Sequence, residues 1–458
     1  MADLSCFKAY DIRGRVPDEL NPELAEKIGR AYVQVVGAKR VVVGHDIRLS
    51  SPELADALIH GLRSAGADVF DIGLCGTEEV YFATFYYEMD GGIMVTASHN
   101  PQDYNGMKLV KQNARPVGAD TGLGEIKALL QSGAALPQAA QLGALQPLET
   151  KVDYVKHLLT YIDVDKLKPL KIVTNAGHGG AGMIVDHLEP YLPFEFIKLY
   201  HNPDGHFPAG VPNPLLEENR SPTAQAVTRY QADLALAWDG DFDRCFFFDE
   251  RAEFIEGYYL VGLLAQNFLS KQPGGKIIHD PRLVWNTQDI AAQAGGVAIE
   301  SKTGHAFIKQ RMRDEDAVYG GEMSAHHYFK QFAYCDSGMI PWLLVTELLS
   351  QTGQPLSQLV EQRQAKFPAS GEINRKLQRP ADVLQQIRAR YEPGARQVST
   401  LDGLSIEFDD WRFNLRSSNT EPVVRLNVES RGDRGLMQAK TAELLEQIAA
   451  FDQAPVSA

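Results

Sequence analysis

The sequence predicts an α/β protein of three similar α/β domains with mixed sheets and a smaller C-terminal α+β domain, set around one central cleft. Three observations predict it. The 458 residues exceed what one hydrophobic core ordinarily holds, so several domains are expected. Short β-branched runs alternate with helix-like stretches through most of the length, the pattern of α/β units. Past about Gly371 the pattern changes to shorter strands and a closing helix over residues 436–450.

Strands are expected at residues 40–44, 93–96, 171–174, 234–237 and 276–278, each a short apolar run. A helix over 52–65 follows from Leu54, Ala57, Leu58 and Leu62 recurring on one face, and a second helix is expected over 224–230. Residues 131–146, rich in Ala, Gln, Gly and Pro, read as a connector. The expected limits are 1–146, 147–251, 252–365 and 366–458.

Composition narrows the function. A formal charge of -14 argues against a nucleic-acid binder or a membrane-surface protein. A phosphorylated ligand would therefore need a local basic cleft. Cys6, Cys75, Cys245 and Cys335 are scattered, which suits thiols of a reducing compartment better than a disulfide framework or zinc site. Residues 1–8 lack the apolar run of a signal peptide, and the apolar stretches 258–269 and 340–349 are too short and interrupted to span a bilayer. A cytoplasmic protein without membrane or nucleic-acid partners is expected, as a monomer if four domains enclose one cleft.

Ligands of open α/β sheets bind past the carboxyl ends of strands. Three polar clusters fall there: Ala97-Ser98-His99-Asn100-Pro101, Asp239-Gly240-Asp241-Phe242-Asp243-Arg244 and Gly320-Gly321-Glu322-Met323-Ser324. A fourth, Arg416-Ser417-Ser418-Asn419-Thr420-Glu421-Pro422, lies in the last domain. Asp239, Asp241 and Asp243 would repel one another unless a cation neutralised them, and oxygen-only ligands select a hard ion such as Mg²⁺. A solvated acidic turn is the plainer alternative, but the preceding Leu-Ala-Leu-Ala-Trp places the triplet at a buried strand's end. A calcium loop is disfavoured because Arg244 replaces its turn glycine, although Glu250 falls at its twelfth position. A phosphatase with Asp239 as the phosphoryl acceptor stays open as the alternative.

Ser98 lacks the glycines of a hydrolase elbow, and His99 is not expected to serve as its base because successive side chains diverge. A phosphorylated serine beside a metal needs no base to donate its phosphoryl group. Taken alone, the Ser98 cluster could equally be a turn closing a strand. Glu322 and Ser324 suit adjacent sugar hydroxyls. His326 and His327 are weak metal candidates, since sequential histidines face opposite ways. Arg416 and its polar neighbours, with Arg425, suit a phosphate nest, and Arg13, Lys108 and Arg244 add local positive charge. Gly177-His178-Gly179-Gly180-Ala181-Gly182 only partly mimics a dinucleotide fingerprint and reads as a tight strand-to-helix turn.

These motifs, with Lys8-Ala9-Tyr10-Asp11-Ile12-Arg13-Gly14, resemble those of the α-D-phosphohexomutase family in its bacterial phosphomannomutase/phosphoglucomutase branch, in order and end to end. The resemblance implies that Ser98 carries the phosphoryl group and joins Asp239, Asp241 and Asp243 around Mg²⁺. It implies that Glu322 and Ser324 grip the sugar, and that Arg416, Ser418, Asn419, Thr420 and Arg425 bind the non-reacting phosphate. Arg13, Lys108 and Arg244 would surround the transferring group, His305 would move a proton, and Tyr10, His99, Arg282 and His326 would contact substrate. Mannose or glucose 1- and 6-phosphates would interconvert through a hexose 1,6-bisphosphate, which would also act as activator. Ala325-His326-His327-Tyr328 stands where many members have Gly after Glu-Met-Ser, a variant resembling the subgroup that makes mannose 1-phosphate for nucleotide-sugar and polysaccharide synthesis.

Overall fold

Residues 4–417 and 423–453 are described by the computed structural model. The first part of the chain runs β1 (Ile12–Arg15), α1 (Pro22–Val36), β2 (Arg40–His45), α2 (Ser51–Ser64), β3 (Asp68–Leu74), α3 (Thr77–Tyr86), β4 (Gly91–Val95) and β5 (Tyr104–Lys111). Side chains alternate along a strand, so a run of buried valines requires cover on both faces. Val41 and Val43 pack with Ile28, Ala31, Leu58 and Leu62 on one side of the sheet. Val42 packs with Cys75, Val80 and Met94 on the other. Both helices of the first layer start with proline in the first turn, and Asn21 Oδ1 caps α1 by accepting from Leu24 N at 3.0 Å.

The strand order is β1-β5-β4-β2-β3, with Leu145–Pro147 outside β3 and Arg115–Pro116 beside β5. β2 is parallel to β3 and β4, whereas β5 is antiparallel to β4 and β1. The connector expected at 131–146 thus ends in an edge strand. Its three residues are all exposed, so it joins the sheet through backbone pairing and leaves no hydrophobic pattern in the sequence. A second mixed sheet has the order Cys245–Asp249, Leu234–Trp238, Lys171–Asn175, Glu195–Leu199, with only the first pair antiparallel.

Two bodies are distinguished. One comprises Met1–Phe254 and Ser324–Pro355, the other Ile255–Met323 and Leu356–Ala458. In the first, the hairpin His327–Phe329 with Cys335–Asp336 and the helix Ile340–Thr352 are tied in by Trp238 Nε1, which donates to the Gly338 carbonyl at 3.0 Å. In the second, parallel strands Val297–Glu300, Lys276–His279 and Tyr319–Gly321 accompany an antiparallel sheet ordered Ile373–Lys376, Val423–Ser430, Trp411–Ser417, Leu404–Glu407, Gln397–Ser399. Helices Pro380–Tyr391 and Arg434–Gln453 close that sheet over Val383, Ile387, Phe413, Val428 and Leu444. Among the described residues, no helix is long and apolar enough to cross a membrane.

Candidate active site

Strand β4 ends at Val95, and Thr96-Ala97-Ser98 turns away over its carboxyl end. Ser98 has φ +50°, a left-handed conformation that costs a non-glycine residue about 1 kcal/mol and must be held from outside. Arg48 holds it. Its guanidinium donates to the carbonyls of Ser98 at 2.8 Å, Asn100 at 2.6 Å, Pro101 at 2.7 Å and Tyr104 at 3.0 Å. Asp46 stands 3.4 Å behind the Arg48 Nε and accepts from Thr96 Oγ1 at 2.7 Å. The backbone turn also overturns one expectation: the side chains of Ser98 and His99 converge, with Oγ and Nδ1 3.2 Å apart.

The acidic turn follows the buried strand Leu234–Trp238 and meets this loop directly. Ser98 Oγ donates to Asp239 Oδ2 at 2.9 Å. A Cβ at Gly240 would lie 2.7 Å from the Ser98 carbonyl oxygen, so only glycine lets the two loops approach this closely. Lys108, on β5, donates to Asp241 Oδ2 at 2.7 Å and Asp243 Oδ2 at 2.5 Å. Arg244 donates to Asp239 Oδ2 through Nε at 2.8 Å and Nη2 at 2.6 Å, and its Nη2 also meets His99 Nδ1. Arg13 reaches the Ala97 carbonyl at 3.3 Å and Asn100 Oδ1 at 2.5 Å. Thr77, first residue of α3, donates from Oγ1 to Asp241 Oδ2 at 2.5 Å.

The charges explain the protonation states. Burial alone would lower the Lys108 ammonium, but Asp241 and Asp243 outweigh it and hold it above its ordinary range. Burial would raise Asp241, yet Lys108 and the Thr77 hydroxyl keep it ionised. Asp243 goes the other way, pushed up by burial and then by the Asp241 charge. Arg244, then burial, pushes His99 down to about 2, so its imidazole is neutral and accepts from the guanidinium. Asp239, Asp241 and Asp243 lie within 4.8 Å of one another by one oxygen each. Asp241 Oδ1 and Asp243 Oδ1 are buried without a hydrogen-bond partner. Buried carboxylate oxygens left without donors fit a hard cation, and these residues could hold one.

Ser324 and His326 belong to the same body. Ser324 Oγ lies 3.4 Å from His326 Nδ1, and His326 Nε2 lies 3.9 Å from Asp243 Oδ1 and 4.0 Å from Asp336 Oδ2. His327 is fully buried, and burial pushes it down to about 3, so its imidazole is neutral. Tyr10 lies in the bend before β1, beside Asp11, which accepts from Arg13 Nε at 2.7 Å.

The second body gathers the remaining candidates. Arg282 is clamped by Asp280 through Nη2 at 2.7 Å and Nε at 3.1 Å, and its Nη1 donates to Glu372 Oε2 at 3.2 Å. Arg416 donates to the same Glu372 oxygen at 3.1 Å and to Thr303 Oγ1 at 3.3 Å. Arg425, its cross-strand partner, lies 3.7 Å from Glu372 Oε1. Glu322 Oε1 accepts from Gly304 N at 2.8 Å, beside His305 at the start of the helix His305–Glu315. Ser418, Asn419 and Thr420 lie outside the described residues.

Sequence reading missed Arg48, Thr77 and Glu372. Asp46-Ile47-Arg48 just past the end of β2 carries a usable signal, a charged pair at a strand's carboxyl end. Thr77 meets Asp241 across 164 residues and Glu372 follows a single glycine in a loop, so neither is marked locally.

Known proteins match the chain along most of its length. Family models described as phosphoglucomutase/phosphomannomutase match residues 5–136 (α/β/α domain I), 152–253 (domain II), 256–367 (domain III) and 372–449 (C-terminal domain). The chain is 60% identical over 452 residues to a phosphomannomutase of Escherichia coli, covering 97% of this chain and 99% of the relative. It is 58% identical over 444 residues to a protein of Xanthomonas campestris pv. campestris named phosphohexose mutases, covering 96% and 98%. A solved phosphoglucomutase/phosphomannomutase family protein of Burkholderia thailandensis superimposes with TM-score 0.88 at 32% identity over 99% of both chains. Fold and relatives together define an isomerase of the phosphohexomutase class. The chain belongs to the phosphoglucomutase/phosphomannomutase family.

Proposed function

We propose that the chain is a phosphomannomutase that also accepts glucose phosphates, interconverting hexose 6-phosphate and hexose 1-phosphate through a hexose 1,6-bisphosphate and phospho-Ser98. The observation that carries this is Ser98 Oγ, 2.9 Å from Asp239 and 3.5 Å from Arg244 Nη2, with Arg13 on the neighbouring Ala97 carbonyl and Lys108 on the adjoining acidic turn. His99 is a poor base for this serine, its basicity pushed down and its Nδ1 engaged by Arg244, and the Asp239 oxygen that Ser98 meets is itself paired with Arg244. The cations that phosphoryl transfer needs lie on the same and adjoining loops.

In the forward half-reaction, the free hydroxyl of the bound sugar phosphate attacks phosphorus and the bond to Ser98 Oγ breaks, its electrons staying on Oγ. Arg244, Lys108 and Arg13 neutralise charge on the phosphoryl oxygens. His305 takes the proton of the attacking hydroxyl, while Glu322 and Ser324 position the sugar and Arg416 and Arg425 hold its other phosphate. Tyr10, Arg282 and His326 complete the substrate contacts, with Ser418, Asn419 and Thr420 on the phosphate. The return half-reaction restores phospho-Ser98 from the opposite end of the bisphosphate, so the two sugar ends exchange places. Asp239, Asp241 and Asp243 would hold Mg²⁺, which supplies electrostatic stabilisation to the transferring group. The Mannose subgroup variant Ala325-His326 supports a role in supplying mannose 1-phosphate.

A phosphatase with Asp239 as acceptor is disfavoured: Asp239 Oδ2 is shared by Ser98 and both Arg244 donors, and the relatives are mutases. The test is ³¹P NMR with Mg²⁺, a trace of hexose 1,6-bisphosphate, and mannose or glucose 6-phosphate in separate samples. A new 1-phosphate signal without inorganic phosphate is expected from both. Inorganic phosphate alone would overturn the mutase reading.

A further inference from the structure

The antiparallel pairing of strands Trp411–Ser417 and Val423–Ser430 sets Arg416 directly opposite Arg425. Like charges at such positions destabilise a sheet unless an anion lies between them. Glu372, in the loop before the strand Ile373–Lys376, supplies that anion and receives Arg282 as well. Burial would raise the Glu372 carboxyl, but Arg282, then Arg416 and Arg425, outweigh it and keep the group ionised.

The charge balance is close. Three guanidinium groups face Glu372, Asp280 at 2.7 Å from Arg282, and Asp402 at 3.8 Å from Arg416. Asp280 is buried and committed, since it also accepts from Met323 N at 2.8 Å. Asp402 is engaged by the Thr303 hydroxyl. Glu372 differs. Among the described residues its ion-pair partners are the three arginines, its side chain is 24% exposed, and its contacts of 3.1–3.7 Å are long for charge-assisted bonds. It is the carboxylate best able to yield.

We propose that Glu372 is an internal counter-anion that competes with a substrate phosphate for Arg282, Arg416 and Arg425, limiting how tightly that phosphate is held. The proposal rests on the reading of Arg416 and Arg425 as the phosphate-holding pair and adds Glu372 as the group that sets their affinity. The chemistry supplies the reason. A sugar that exchanges its two ends must leave this nest in every cycle. Three unopposed guanidinium forks would grip a phosphate dianion too firmly for that. A carboxylate on the same oxygens' side weakens the hold and re-covers the arginines as phosphate departs.

The experiment is steady-state turnover by the full chain with inorganic phosphate as inhibitor, on the native protein and on Glu372→Gln, Glu372→Asp and Arg416→Ala. Glu372→Gln is expected to lower both the phosphate Ki and the substrate KM by roughly three- to tenfold while kcat falls, because release slows. Its melting temperature should rise more than that of the native protein when phosphate is added. A weakened phosphate Ki in Arg416→Ala with an unchanged Ki in Glu372→Gln would overturn the competitor role and leave Glu372 a structural ion-pair partner. An unchanged Ki and KM in Arg416→Ala would remove the phosphate nest itself, and the proposal with it. If the Gln variant folds poorly, Glu372→Asp decides: its shorter side chain reaches the arginines less well, so its Ki must also fall, and an unchanged Ki overturns the proposal.

Discussion

The surroundings of Ser98 and of Arg416 are both basic, yet they are built on opposite principles. Around Ser98 the parts are buried and over-determined: Arg48 alone grips four backbone carbonyls, and the loop sits in a conformation it would not adopt unaided. Around Arg416 the ion pairs are longer, and the counter-charge, Glu372, is partly exposed. The difference follows from the work each region would do. Bond-making tolerates little misplacement, so the reacting serine is fixed in advance. A phosphate that arrives and leaves needs a partner that exchanges.

The largest effect should come from breaking the fixed region at its centre. Ser98→Ala is expected to lower kcat more than about a thousandfold while far-ultraviolet circular dichroism stays native; near-normal turnover would remove Ser98 as carrier. Asp241→Asn should lower activity by about a hundredfold or more and abolish the response to added Mg²⁺. Retained metal dependence would move the cation elsewhere.

Arg48→Met sharpens the comparison, because Arg48 touches the loop and no proposed substrate contact. Four carbonyls lose their donors, so stability should fall by about 2 kcal/mol or more in urea unfolding. At temperatures where the variant is folded, kcat should drop about ten- to a hundredfold with KM little changed. Arg416→Ala should do the reverse, raising KM about ten- to a hundredfold through loss of a charge-assisted phosphate contact. Equal shifts of kcat and KM in the two variants would erase the distinction between the regions.

The smallest effect lies away from both. Burial among Phe82, Phe85, Phe332 and Tyr161 pushes His157 down to about 4. As pH falls through 6.5 the unfolded chain takes up a proton that the folded chain refuses until about 4, so stability is lost across that window. His157→Phe should flatten the fall in melting temperature between pH 6.5 and 4. An unchanged slope would assign the acid sensitivity to other groups.

Much of the fold was legible because local rules and tertiary demands agree. The helix expected at 52–65 is α2, Ser51–Ser64, with its proline in the first turn, and the strand expected at 93–96 is β4, Gly91–Val95. The closing helix expected at 436–450 runs Arg434–Gln453. The edge strand Leu145–Pro147 was not legible, since exposed residues paired only by backbone carry no periodicity.

The sequence by itself determined the chemistry on offer: a serine after a buried strand, three alternating carboxylates with Arg244 after another, and arginines flanking a polar turn. Residue type and strand-end position are local properties, and local properties can be read from order alone. Only the tertiary structure decided how those groups are held and biased. The left-handed turn brings His99 back onto Ser98, Arg48 reaches across 50 residues to the Ser98 carbonyl, and Glu372 comes to rest on three arginines from distant segments. Such contacts depend on burial, charge and distance through space, which chain order does not contain.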